Sequence, residues 1–145
     1  MVTEPPLFAS SAAPNKKRRS TIPVQVLAQE ALTAIQEKKA SDVVIMDMHE
    51  ASGIADYFIL CSGTSDIQVK AIAEAVEKRL ESECQEAPWH IEGTEHRQWV
   101  LLDYVDLVIH IFTPERREFY DLERLWSDAP MEKVSDEEPV VLLHS

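Results

Sequence analysis

The chain has 145 residues, a length that suits one domain, and 45% of them are hydrophobic, enough for a core and too many for a wholly disordered chain. It carries 26 acidic against 14 basic residues, net -12, and the excess sits in the middle. Residues 1–20 hold one acid and four bases, residues 21–126 twenty acids and nine bases, and residues 127–145 five acids and one Lys. A folded unit this acidic repels a bare phosphate backbone, so a basic protein is a more natural partner for it than nucleic acid.

Residues 1–20 are rich in Pro, Ser and Ala, lack periodicity and read as a disordered basic arm. "KKRR" at 16–19 is a solvated basic tail, with RNA or an anionic surface as the alternative contact. The basic cluster follows the few apolar residues, an order that does not fit a signal peptide. Cys61 and Cys84 form no Cys-x-x-Cys motif, and no apolar stretch approaches the length of a membrane span. A reduced, cytoplasmic location is expected.

Val24, Leu27, Ala28, Ala31, Leu32 and Ile35 recur at helical spacing and predict an amphipathic helix over 22–38, with Lys38 and Lys39 at its negative pole. "DVVIMDM" (42–48) and "DYFILCS" (56–62) are apolar on successive residues. Both are predicted strands inside a sheet covered on two faces. "SGTS" (62–65) then turns the chain. Ser65 with Gln68 fits a capping box, and Val69, Ile72, Ala73, Val76 and Leu80 continue a helix to about residue 83.

"PWHIEG" (88–93), "QWVLLDY" (98–104) and "DLVIHIF" (106–112) predict three more strands, the last two joined by a tight hairpin at Asp103–Asp106. Pro114 opens a last helix over 115–126, with Phe119, Leu122, Leu125 and Trp126 on one face and Phe119 and Trp126 in the core. The expected organisation is an arm (1–20), one folded domain (21–127) and a mobile acidic tail (128–145) in which apolar Val140–Leu143 docks nowhere identifiable. Helices alternating with a mixed sheet make an α/β sandwich.

Catalytic chemistry finds little support. "SGTSDIQ" has one Gly, no adjacent Lys and Asp66 in the first helical turn, where it would repel a phosphate, so a helix cap accounts for it better than a phosphate loop. Asp103 and Asp106 are three apart across a turn. With the Gly63–Thr64 turn they motivate the alternative of a metal-dependent nucleotidyl-transfer enzyme, and nothing else in the chain supports a metal. His49, His90, His96, His110 and His144 lack metal-ligand spacing. His110 reads as a satisfied sheet residue and Cys61 as an inert buried thiol. No catalytic, metal or cofactor site is expected. What stands out is Trp99 with Leu101 and Asp103 on its side of a strand, read as an exposed edge-strand Trp of the kind that anchors protein contacts.

Five segments carry a family resemblance: "KKASDVVIMDM", "ADYFILCSGTSDIQVKAIAEAV", "EG" at 92–93, "WVLLDYVDLVIHIF" and "REFYDLERLWSDAP". Over about residues 23–130 the chain resembles the ribosomal silencing factor family, also called Iojap-like. The resemblance implies a single-domain α/β sandwich with a mixed central sheet, nucleotidyltransferase-like without its catalytic carboxylates. It implies a translational repressor that binds the large ribosomal subunit at its protein fourteen and blocks subunit joining under nutrient limitation, and a homodimer when off the ribosome. Trp99 matches the family's tryptophan at the ribosomal contact. Leu101, Asp103 and Tyr104 on the same strand end, and Tyr120 on the acidic aromatic helix, extend that candidate site. Asp56, Tyr57, Glu118 and Asp121 also match motif positions. The chain departs from the family at Val105, where Gly is common. Because Val resists positive φ, a different turn or a wider corner is expected there.

Overall fold

The computed structural model describes residues 22–135 apart from 52 and 54. Helix α1 (Val24–Glu37) leads into an antiparallel pair, β1 (Ser41–Asp47) and β2 (Tyr57–Ser62). Helix α2 (Asp66–Cys84) follows, then β3 (His90–Glu92), the β4 (Trp99–Asp103) and β5 (Leu107–Phe112) hairpin, short helices α3 (Pro114–Tyr120) and α4 (Leu122–Leu125), and β6 (Met131–Lys133). The sheet order is β3-β4-β5-β2-β1-β6, with β2 and β5 parallel and every other pair antiparallel. The expected mixed-sheet α/β sandwich is the observed fold.

Strand alternation sorts the core into two layers. Ile45, Tyr57, Ile59, Cys61, Val100, Leu102, Ile109 and Ile111 face α1 and α2. Val44, Met46, Phe58, Leu60, Trp99, Leu101, Val108 and Phe112 face the other way, toward Leu122, Tyr120 and Trp126. Both faces of the central strands are therefore covered, which is why "YFILCS" is apolar at every position but the last.

The Gly63–Ser65 turn is structural. The Gly63 N–H donates to the Phe112 carbonyl at 2.8 Å, and a Cβ there would sit 3.1 Å from Val69. The turn favours Gly because α2 packs close against β2. Ser65 Oγ accepts the Gln68 N–H at 3.2 Å, as the cap reading requires. Gln68 differs from a capping box. Its Oε1 accepts from Thr64 N (2.7 Å) and Oγ1 (2.9 Å), while its Nε2 donates to the carbonyls of Lys38 (3.0 Å) and Lys39 (3.2 Å). One side chain thus closes the end of α1 and the start of α2, satisfying carbonyls that a helix terminus leaves unpaired.

Three sequence expectations are corrected. The predicted helix over 115–126 is two helices, broken at Asp121, which takes φ +49. The break turns Leu122 inward and leaves Phe119 and Leu125 exposed, so Phe119 is not core and Trp126 is only partly buried. Part of the segment expected to be a mobile tail forms a strand. Residues Met131–Lys133 add β6 to the free side of β1, and Gln36 Nε2 reaches the Ser135 carbonyl at 2.7 Å. All three β6 residues are exposed and two are charged, which suits a short sheet edge and hides the strand from any hydrophobic pattern. The arm 1–20, "KKRR" and Val140–Leu143 lie outside the described residues.

The third correction is Val105. It accepts the positive φ, at +75°, and the hairpin stays tight. Asp106 N–H donates to the Tyr104 carbonyl at 2.9 Å, closing a γ-turn of the rarer, strained hand. Asp103 Oδ1 holds the Val105 N–H at 2.8 Å and braces it. Strain of this kind costs about 1–3 kcal/mol, partly offset because Gly loses more chain entropy on folding. Val105→Gly should therefore raise unfolding free energy by about 1 kcal/mol in a urea titration. Ser65→Ala should lower it by about 0.5–2 kcal/mol in the same assay, through the lost cap.

Candidate partner-binding face

Trp99 starts β4 directly opposite Phe112 of β5. Its ring lies 4.7 Å from Phe112 and 4.8 Å from Tyr120, and its Nε1–H donates to His110 Nδ1 at 3.1 Å. Because the indole only donates, the His110 proton sits on Nε2. Burial drives the His110 pKa down to about 3, so the ring is neutral at physiological pH. His110 lies 4.8 Å from Phe58, which meets Trp126 edge-on at 6.2 Å. An aromatic array therefore runs across this layer from Tyr120 to Trp126.

The five candidate residues do not form one exposed patch. Trp99 is 5% exposed, Leu101, Asp103 and Tyr104 are buried, and Tyr120 is half-buried. Nor is β4 an edge strand, since β3 lies outside it. Trp99, Leu101 and Tyr120 share the second layer, whereas Tyr104 packs in the first, under α2, where burial and then the Glu77 and Glu86 charges push its pKa up. Asp103 braces the hairpin turn. A strand read in isolation shows which residues share a face, not what covers that face. Replacing a buried Trp by Ala costs about 3–5 kcal/mol, so Trp99→Ala would threaten the fold itself.

Large apolar side chains are exposed instead at Val26, Ile67, Trp89, Phe119 (61%), Leu125 (63%) and Met131 (42%), the last three on α3, α4 and β6. The placement of Phe119 and Leu125 depends on Arg117, which is nearly buried. Its guanidinium donates to the Asp42 carbonyl (2.6 Å), Ser62 Oγ (2.9 Å) and both Glu123 carboxylate oxygens (2.9 and 3.3 Å). This fork ties α4 back to the ends of β1 and β2. Nothing in "ERRE" distinguishes the inward Arg117 from Arg116, which reaches Gln98 at 2.7 Å.

Beside α4, the loop after β1 and the link from α4 to β6 enclose an open cleft of about 740 Å³, lined by Asp47, His49, Glu50, Ala51, Leu125, Trp126, Asp128 and Pro130. His49 Nδ1 lies 2.7 Å from Asp47 and its Nε2 3.6 Å from Asp56. The Asp47 hydrogen bond, aided by the Asp56 and Glu50 charges, raises its pKa despite some desolvation. Asp47 ends β1 and His49 lies in the turn just after it, where Asp47 Oδ1 also accepts the His49 backbone N–H at 3.1 Å, so the Asp-x-His spacing was the available clue to a local turn contact.

The nucleophile and metal readings gain nothing from this geometry. Burial pushes the Cys61 thiol up to about 12. Among the described residues no group of three His, Cys, Asp or Glu side chains could hold a metal ion, so Asp103 and Asp106 have no third ligand. No described helix is long and apolar enough to cross a membrane.

The family model described as "Ribosomal silencing factor during starvation" matches residues 21–142. The chain belongs to the ribosomal silencing factor family. A ribosomal silencing factor from Halalkalibacterium halodurans is 43% identical over 106 residues, covering 73% of this chain and 90% of its own. One from Bacillus subtilis is 40% identical over 101 residues, covering 70% and 85%. A crystal structure of a Chromobacterium violaceum protein superposes with a TM-score of 0.71 at 29% identity, covering 81% of this chain and 98% of that one. The silencing factor family is not a known enzyme family. Within this silencing factor, His49 should titrate above its ordinary 6.5 by NMR, and Asp47→Asn should lower it. The sign follows: this stabilisation is full below the unfolded pKa and is lost as pH rises through the higher folded pKa.

Proposed function

We propose that this chain is a ribosome-binding repressor of translation. It binds the large ribosomal subunit through that subunit's protein fourteen and, by occupying the joining face, sterically blocks the small subunit when nutrients are scarce. The single observation that carries this reading is the family match across residues 21–142. Charge supports it: twenty acids against nine bases in residues 21–126 would steer the domain toward a basic ribosomal protein and away from bare RNA. The exposed Phe119 and Leu125, with acidic neighbours Glu118 and Asp121, supply a contact surface of the right chemistry.

Within this reading Tyr120 is the surface member of the site and Trp99 the ring that supports it. Leu101, Asp103 and Tyr104 hold the strand end in shape. Off the ribosome the protein forms a homodimer, and it works in the cytoplasm, where ribosomes are. The mechanism is exclusion without turnover.

Co-sedimentation with isolated large subunits tests the reading. The protein should pellet with them at low salt and slow their association with small subunits in a light-scattering assay. Failure to pellet at low salt would reject the proposal. Trp99→Phe, which keeps the aromatic packing but loses the His110 hydrogen bond, should weaken binding by less than Tyr120→Ala. The reverse order would place Trp99 directly at the contact.

A further inference from the structure

The cleft beside α4 combines two features that neither the family match nor the candidate residues call for. Its rim carries the carboxylates of Asp47, Glu50 and Asp128, and no Lys or Arg is among its described lining residues. Its wall exposes Leu125, a large apolar side chain at 63% exposure, next to Trp126. Leu125 faces outward because α4 is held by the Arg117–Glu123 fork, so its exposure is built into the fold. Trp126 links the cleft to the same aromatic array that ends at Tyr120.

We propose that this cleft receives a Lys- or Arg-bearing segment of the protein partner, its cationic end among Asp47, Glu50 and Asp128 and its methylene stem on Leu125 and Trp126. Charge complementarity selects that occupant. A long basic side chain is amphipathic in the same order as the cleft, apolar along its stem and charged at its tip. A bound metal ion fits less well, since the described side chains offer no group of three ligands. A bare nucleic-acid strand would meet like charge on the rim. His49 lies between Asp47 and Asp56 and carries its own positive charge when protonated, so it competes for the same carboxylates.

This inference rests on the ribosomal reading for its partner, and the test separates the two. Full-length protein is co-sedimented with isolated large subunits across a salt series. Glu50→Gln combined with Asp128→Asn should weaken binding about tenfold at low salt and flatten its salt dependence, because rim charges act mainly through steering. Leu125→Ser should weaken it about tenfold with the salt slope unchanged, because it removes only apolar contact. Circular dichroism melts of these surface variants should match the wild type. Should Leu125→Ser melt early, Leu125→Gln in the same assay supplies the apolar arm. Wild-type pelleting with all variants binding equally would overturn the cleft and leave the ribosomal reading standing. No wild-type pelleting would overturn both.

Discussion

Everything in this fold depends on the parallel pairing of β2 with β5. Tyr57 to Ser62 register one-to-one with Leu107 to Phe112, deep in the sheet. A parallel pair cannot be joined by a short turn, so α2, β3 and β4 must lie between them in sequence. That crossover lays α2 beside α1 on one face and leaves the other face to the short helices after β5. The same register decides the side chains. Phe58 and His110 fall on the face with Trp99, while Tyr57, Ile59 and Ile109 fall under the long helices.

The second face is where the structure departs from a plain sandwich. Its described helical cover is only seven plus four residues of helix, held by one nearly buried arginine. Arg117 takes acceptors from three separate places in the chain: the Asp42 carbonyl, the Ser62 hydroxyl and the Glu123 carboxylate. Burying a guanidinium is costly unless each donor finds a partner. Here the same partners tie α4 back to the sheet, with the chain turning at Asp121 and Leu125 facing outward. A surface of exposed apolar groups among acids follows from satisfying one buried cation.

Much of this was legible from the chain. Helical spacing placed α1 and α2, continuous apolar runs placed the central strands, and Ser65 marked a helix start. His110 and Cys61 were read as inert, and burial makes them so. The misreadings share a cause. Trp99 looked exposed because alternation reports a face and not its cover. The α3–α4 break was hidden because Asp121 is pulled into positive φ by packing that Leu122 and Arg117 make elsewhere. Met131–Lys133 has no strand pattern at all, since it pairs through backbone alone at an exposed edge. Val105 kept a tight turn because Asp103 braces its N–H, a contact between neighbours whose geometry sequence spacing does not specify.

The sequence by itself determined the element order, the two-layered core and the family, because periodicity and motif spacing are local properties of the chain. It also determined the acidic charge, which is a sum over residue types. Only the tertiary structure decided which candidate residues meet solvent. Exposure depends on what distant segments lay over a strand, so Trp99 went inside while Phe119 and Leu125 came out. The cleft at His49 belongs to the same class. It exists because β6 returns to β1 and brings Asp128 and Pro130 opposite Asp47, a long-range pairing between residues some eighty apart whose strand carries no hydrophobic signal.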